Sequence, residues 1–205
     1  MHLKDTQPYI FGLLGSPRLQ GNTEALFALA LQGAREAGAR VEGFRISEYH
    51  LAPCEDCDHC LLEGTCRLKD DMELFYPKLR SCDGLIVASP IYFWGVTAQT
   101  KIFIDRCQAF WSAKKAGLWR AAPKRPGIFI SCAGQKMGTD PFFAAVATVK
   151  AFFATLDVKY KAELLLAGVD NKGEVQQHEA AKEKAYLLGK NLVLDLITSS
   201  STVKV

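Results

Sequence analysis

The sequence predicts an α/β fold, a five-stranded parallel sheet with helices on both faces and a Cys-rich insertion after the second strand. Three observations predict it. Short, nearly continuous apolar runs such as Tyr9-Ile10-Phe11-Gly12-Leu13-Leu14 and Gly84-Leu85-Ile86-Val87-Ala88 have the pattern of strands covered on both faces. Segments with helical apolar spacing separate those runs throughout. With 205 residues, 49% of them apolar, the chain is long enough to bury one substantial core, so a single domain over 1–205 is expected.

Tyr9 to Leu14 is strand one, ending in turn residues. A helix follows from Asn22 to Ala37, with Leu26, Ala30, Leu31 and Ala34 on one face, an Asn22 or Thr23 cap, and a stop at Gly38. Arg40 to Ile46 is strand two. After it, a Cys-rich loop over about 47–69 leads to a short helix from Asp71 to Arg80. Gly84 to Ala88 is strand three, followed by a helix from Thr97 to Trp111. Gly127 to Ser131 is strand four, Phe142 to Leu156 a helix, Lys159 to Leu166 strand five, and His178 to Ile197 the closing helix. A Ser/Thr-rich tail over about 199–205 is expected to be flexible.

Right-handed crossovers between parallel strands put the binding crevice at the strand carboxyl ends. Three loops of unusual composition leave those ends: Gly15 to Thr23, Ser89 to Gly95, and Ser131 to Gly134. In the first, backbone N–H groups and a helix dipole favour an anion, Ser16, Asn22 and Thr23 add donors, Arg18 adds charge, and Gly21 permits close approach. This composition fits a monophosphate. Neither the dinucleotide fingerprint nor the nucleoside-triphosphate loop is present, and an ordinary capped turn is the competing reading.

The net charge of +3, from 25 basic and 22 acidic residues, is too mild and mixed for a nucleic-acid surface. Lys114-Lys115 and Lys124-Arg125 read as solvated faces. No run approaches a membrane span and the N-terminus lacks a signal-peptide pattern, so a cytoplasmic location without a membrane partner is expected.

Gly15-Ser16-Pro17-Arg18 with Gly21-Asn22-Thr23, then Asp70-Asp71-Met72, Ser89-Pro90-Ile91-Tyr92-Phe93 and Lys101-Ile102-Phe103-Ile104-Asp105-Arg106, resembles the NADPH-dependent FMN reductase group of the flavodoxin-like superfamily. The resemblance implies that Ser16, Arg18, Asn22 and Thr23 hold an FMN phosphate. It also implies that the loop Pro90, Ile91, Tyr92, Phe93, Trp94, Gly95 passes along the isoalloxazine ring. Ser131, Ala133 and Gly134 form a small-residue loop beside which a ring could lie. The cofactor would carry the chemistry, so no catalytic side chain is nominated, although the Tyr92 hydroxyl is the nearest candidate for proton delivery. The family also implies a homodimer or homotetramer, and Phe93, Trp94, Phe110, Trp111 and Trp119 supply an aromatic surplus suited to interfaces.

Four of the seven cysteines crowd into Cys54-x2-Cys57-x2-Cys60-x5-Cys66, with Gly64 offering a turn. Outside a secretory context such a run reads as metal ligation or redox chemistry, whereas Cys82, Cys107 and Cys132 are scattered and suit buried packing. Repeated two-residue gaps suit an iron–sulfur cluster; zinc and a metal-free loop are the alternatives. The spacing is similar to that of the iron–sulfur flavoproteins, which implies one 4Fe-4S cluster on Cys54, Cys57, Cys60 and Cys66 beside FMN. Glu55, Asp56, Asp58 and Glu63 surround this run and would oppose a negative site. The expected activity passes electrons from NAD(P)H or a protein donor to a small-molecule or protein acceptor. A cluster-free quinone, azo-dye or flavin reductase and a non-enzymatic electron carrier are the other readings.

Overall fold

The computed structural model describes residues 7–119, 125–134 and 140–202. Five parallel strands, β1 (Tyr9–Leu14), β2 (Arg40–Arg45), β3 (Gly84–Ala88), β4 (Arg125–Ala133) and β5 (Val158–Ala167), form one sheet in the order β2-β1-β3-β4-β5. The helices are α1 (Asn22–Glu36), α2 (His59–Glu63), α3 (Met72–Ser81), α4 (Ala98–Arg106), α5 (Gln108–Lys115), α6 (Phe143–Thr155) and α7 (Glu179–Thr202). The strand order reverses direction between β1 and β3, which creates a crevice between their outgoing loops.

Strand alternation divides the core between the two faces. Phe11, Leu13, Leu85, Val87 and Phe129 point to one face, where Phe75, Phe103, Phe110, Phe152 and Phe153 from α3 to α6 cover them. Ile10, Leu14, Ile86, Ile128 and Ile130 point to the other, against Leu26 and Ala30 of α1 and Leu192 and Val193 of α7. Burying both faces explains why these strands read as continuous apolar runs. The α1–α7 crossing is tight because a Cβ on Gly189 would stand 1.8 Å from the Ala30 carbonyl oxygen, and one on Gly33 2.1 Å from that of Tyr186.

Two expectations change. The single helix expected from Thr97 to Trp111 is two, because Cys107 N–H bonds the Ile104 carbonyl at 3.0 Å and tightens the chain before α5 begins. Arg125 is no solvated residue: it is 4% exposed and donates to the carbonyls of Leu79, Cys82 and Leu156 at 2.7–2.9 Å. Lys124 lies outside the described residues, while Lys114 and Lys115 are exposed as expected. α7 runs as far as Thr202, and residues 203–205 of the expected tail lie outside the description. Cys82, Cys107 and Cys132 are all buried, as their scattered positions suggested.

Candidate functional site: a crevice at the strand carboxyl ends and a cysteine lobe

The β1–α1 loop is held from behind by three buried hydroxyls. The amide of Gly15 bonds the Ala88 carbonyl at 2.7 Å, tying the loop to the end of β3. Its carbonyl accepts from Thr97 Oγ1 at 2.7 Å; Thr97 Oγ1 lies 2.8 Å from Thr100 Oγ1, and Ser89 Oγ accepts from the Thr97 amide at 3.1 Å. Thr97, Thr100 and Ser89 are fully buried. At Gly15 a Cβ would fall 1.7 Å from Thr100 Oγ1, so the position requires a residue without one. On the outer side Arg45, from the end of β2, donates to the Ser16 carbonyl at 3.0 Å and pairs with Glu24.

This scaffold presents the start of α1. The first intrahelical bond runs from Ala25 N–H to the Gly21 carbonyl, so the N–H groups of Asn22, Thr23 and Glu24 have no acceptor within the helix. No side chain caps them. Asn22 and Thr23 line a crevice, partly continuous with solvent, whose lining also includes Ser16, Arg18, Pro90, Ile91 and Tyr92.

Of the residues expected to hold FMN, the crevice gathers Ser16, Arg18, Asn22, Thr23, Pro90, Ile91, Tyr92 and Gly134. Phe93, Trp94, Gly95, Ser131 and Ala133 are not part of its lining. Ser131 Oγ donates to the Ser89 carbonyl at 2.7 Å and so fixes the strand ends rather than facing a ligand. Strand alternation instead brings Cys132 into the lining, together with Gly21, Val169 and Asp170. Burial pushes the Cys132 thiol up to about 11, partly countered by a hydrogen bond with Thr23, so it remains a neutral thiol at the crevice floor.

Asn22 has a double position. Its amide donates to the carbonyls of Asn171 (2.9 Å) and Val169 (3.4 Å) and accepts from Val175 N–H at 3.1 Å, which uses the side chain to anchor the loop after β5. What it offers the crevice is its backbone N–H. Arg18 donates to the Asp170 carbonyl at 2.8 Å, closing the same loop over the site. Opposite, Tyr92 and Gly95 exchange two backbone hydrogen bonds at 3.0 Å, with Phe93 and Trp94 at φ of 48° and 69° between them. Two successive positive φ values are those of a type I′ turn, which bulky residues rarely occupy, and Phe93 at its tip is fully exposed.

The cysteine run forms a second concavity that shares no lining residue with the first. Cys54, Cys57, Cys60 and Cys66 all line it, with Arg67, Arg106 and Gln108. Asp56 and Asp58 take left-handed φ values of 49° and 57°, so the chain turns twice between ligand positions without glycine. The short helix α2 then carries Cys60, and Gly64, at φ 70°, returns the chain to Cys66. Among the described residues no group of three or more His, Cys, Asp or Glu is placed to hold a single metal ion. A cubane differs, because each thiolate takes its own iron and the four sulfurs need not converge on one point.

Beneath the lobe, Arg106 is 1% exposed and meets Asp70 through both carboxylate oxygens while donating to the Ala52 carbonyl at 2.9 Å and to Cys66 Sγ at 3.5 Å. Burial opposes the Asp70 charge, but hydrogen bonds from Arg106 and from the Ala52 and Met72 amides hold its carboxyl below the usual range. The Asp70-Asp71-Met72 and Asp105-Arg106 segments, 36 residues apart for the ion pair, thus meet as the base of the lobe. Glu55, one of the acidic residues around the run, is paired with Arg67.

The pattern of the NADPH-dependent FMN reductase family matches residues 8–164. The chain belongs to that family. Among relatives of this family member, an iron–sulfur flavoprotein from Methanocaldococcus jannaschii is 39% identical over 146 residues, 70% of each chain. A second from the same organism is 40% identical over 97 residues, and one from Archaeoglobus fulgidus 39% over 104. Those two matches span 47% and 51% of this chain and only 50% and 53% of the relatives. A putative NAD(P)H-dependent FMN-containing oxidoreductase from Bacillus subtilis is 34% identical over 45% of the chain and 48% of its own length. Solved structures show the same fold: a flavodoxin from the domain Archaea has a TM-score of 0.53 at 10% identity, covering 91% of this chain and 97% of its own. An azoreductase from Bacillus anthracis has a TM-score of 0.65 at 13% identity, covering 90% and 100%. The protein is therefore a member of the FMN reductase family with a flavodoxin-like fold. Among the described residues no helix is long and apolar enough to cross a membrane.

Proposed function

We propose that this family member is an iron–sulfur flavoprotein, an FMN-dependent oxidoreductase that passes electrons between NAD(P)H or a protein donor and an acceptor through FMN and one 4Fe-4S cluster. The observation that carries the cluster is that all four cysteines line one concavity above a buried Arg106–Asp70 pair. The quick succession Cys54-x2-Cys57-x2-Cys60 favours a cube over zinc, whose sites more often combine two separated cysteine pairs. The names of the relatives at 39–40% identity point the same way.

The crevice residues fit FMN. The three acceptor-free N–H groups at Asn22, Thr23 and Glu24, with the Ser16 and Thr23 hydroxyls and Arg18, offer a monophosphate neutralisation and directional donors. Pro90, Ile91 and Tyr92 form a wall along which an aromatic ring system can lie, and Gly134 lines the same crevice. FMN, when bound there, supplies hydride and single-electron chemistry. The protein's share is to orient the ring and to exclude water. The Tyr92 hydroxyl, on a residue 48% exposed, is positioned to relay a proton from solvent. The strained aromatic tip Phe93-Trp94 is the surface we assign to a second copy of the chain, whereas Phe110 and Trp119 are accounted for by the core.

Anaerobic purification followed by flavin, iron and sulfide analysis tests the reading. One FMN and about four irons and four sulfides per chain are expected, with iron lost and FMN kept when Cys54, Cys57, Cys60 and Cys66 are replaced by Ser. FMN without iron leaves a cluster-free reductase; zinc in place of iron rejects the cubane.

A further inference from the structure

Arg106 is the least expected residue of the lobe. Its side chain is fully buried, yet it ends α4 beside a run of thiols rather than in a crevice for an anionic ligand. The bidentate contact with Asp70 cancels its charge and holds the guanidinium plane in place, with Ala52 accepting a third bond. Two features remain after that accounting. Nη2 donates to Cys66 Sγ at 3.5 Å, and Nε, also buried, has no acceptor in the protein. A buried N–H without a partner costs about 1–3 kcal/mol, so a folded protein seldom leaves one unless something else meets it. Arg106 lines the same concavity as the four cysteines.

We propose that Arg106 donates an N–H···S hydrogen bond to Cys66 as a cluster ligand, with its Nε–H facing the cluster side, and that Asp70 is the positioning residue that aims it. The proposal rests on the cluster reading above. Its physical consequence is a higher reduction potential. Adding an electron to a cluster held by four thiolates increases negative charge on sulfur, and a fixed donor stabilises the reduced form more than the oxidised one. Asp70 prevents the bare cation from dominating, so that the effect comes from a directed bond. The placement also answers the acidic residues: Glu55 is neutralised by Arg67 at the rim, while Arg106 acts from inside.

The test uses the full chain with its cofactors. Replacing the pair together, Arg106→Met with Asp70→Asn, removes the donor without leaving a buried carboxylate, so net charge is unchanged. Arg106→Lys keeps a cation but loses the planar fork. Wild type and both variants are purified anaerobically, checked for FMN, iron and circular dichroism, and titrated redoximetrically with the reduced cluster followed by EPR. In the Met/Asn pair the reduction equilibrium should shift toward the oxidised cluster by about tenfold, 59 mV for a one-electron couple. The Lys variant should shift less. An unchanged potential at full iron content overturns the proposal while leaving the cluster reading intact. Loss of iron with FMN retained also overturns it, since Arg106 would then be an anchor for the lobe. A wild-type chain with FMN and no iron overturns both readings together.

Discussion

Gly15→Ala tests whether the phosphate-side loop is held by space or by backbone freedom. Gly15 is not among the residues with positive φ, so an alanine there meets no backbone penalty. What it meets is Thr100 Oγ1 at 1.7 Å, with Thr97 Oγ1 at 3.2 Å and Thr100 Cβ at 3.1 Å. Relief requires displacing the loop or breaking the Thr97–Thr100 contact at 2.8 Å. Overpacking of this kind costs about 1–3 kcal/mol, and each broken hydrogen bond about 1 kcal/mol more. For a domain of this size the melting temperature of the apoprotein should fall by roughly 2–4 °C per kcal/mol. Because the displaced loop carries Ser16 and the start of α1, FMN affinity should weaken about tenfold or more, measured by flavin fluorescence quenching on titration of the apoprotein. Thr100→Ala alone loses the hydroxyl contacts but no volume conflict. The double variant should therefore be more stable than the sum of the two single changes predicts, by about 1–2 kcal/mol. Strict additivity in that cycle would refute the steric account.

Four further outcomes follow from the same geometry. Asn22→Ala removes three hydrogen bonds to the Val169–Val175 loop and should cost about 2–3 kcal/mol in urea unfolding, whereas Ser16→Ala, which removes only a hydroxyl facing the crevice, should weaken FMN without comparable destabilisation. Arg45→Met frees the Ser16 carbonyl without touching the crevice lining and should raise the FMN dissociation constant about tenfold in the same titration. Burial raises the thiols of Cys82 and Cys132 from an ordinary 9.0 to about 11, so both favour the fold while protonated. Their contribution is complete below pH 9 and lost as pH rises from 9 toward 11, and urea midpoints should decline over that window less steeply in Cys132→Ala. Replacing Phe93-Trp94 by Asn-Gly relieves two positive-φ aromatic residues and should stabilise the monomer by about 1 kcal/mol while weakening self-association in sedimentation velocity; unchanged association would remove that turn from the interface.

β1, β3 and β4 were legible in the sequence because burial on both faces leaves a nearly uninterrupted apolar signature, while the outer strands β2 and β5 are half-exposed and carry charged residues; all five start within two residues of where the sequence places them. The three crevice loops were legible because they are local: each joins a strand end to the next element. Less legible was anything that depends on parity or distance. Ser131 and Cys132 differ by one position, so which of them faces the crevice depends on a strand register that composition does not fix. Asn22 and Val175 are 153 residues apart, and nothing near either predicts their bond. Arg125 looked like half of a surface dipeptide, but three backbone carbonyls at the ends of other elements make its burial affordable. The Thr97–Thr100 spacing carried an available signal, since a threonine before a helix with another three residues on is a capping arrangement, here turned toward Gly15.

The same long-range logic connects the two halves of the candidate site. The crevice is built from elements that meet at the β1/β3 reversal, so its geometry follows from the sheet that every flavodoxin-like protein of this order shares. The cysteine lobe is an insertion and inherits no such frame. It is fixed to the scaffold where Asp70, just ahead of α3, meets Arg106 at the end of α4, and the break at Cys107 is what lets α4 end there with its last side chain turned inward. An ion pair that takes a guanidinium fully out of water contributes little net stability compared with apolar packing, which is a reason to seek its use elsewhere. Here the pair both anchors the lobe and places a fixed positive donor under thiols otherwise flanked by acidic residues, so a cluster on those thiols, as proposed, would gather charge where that donor lies.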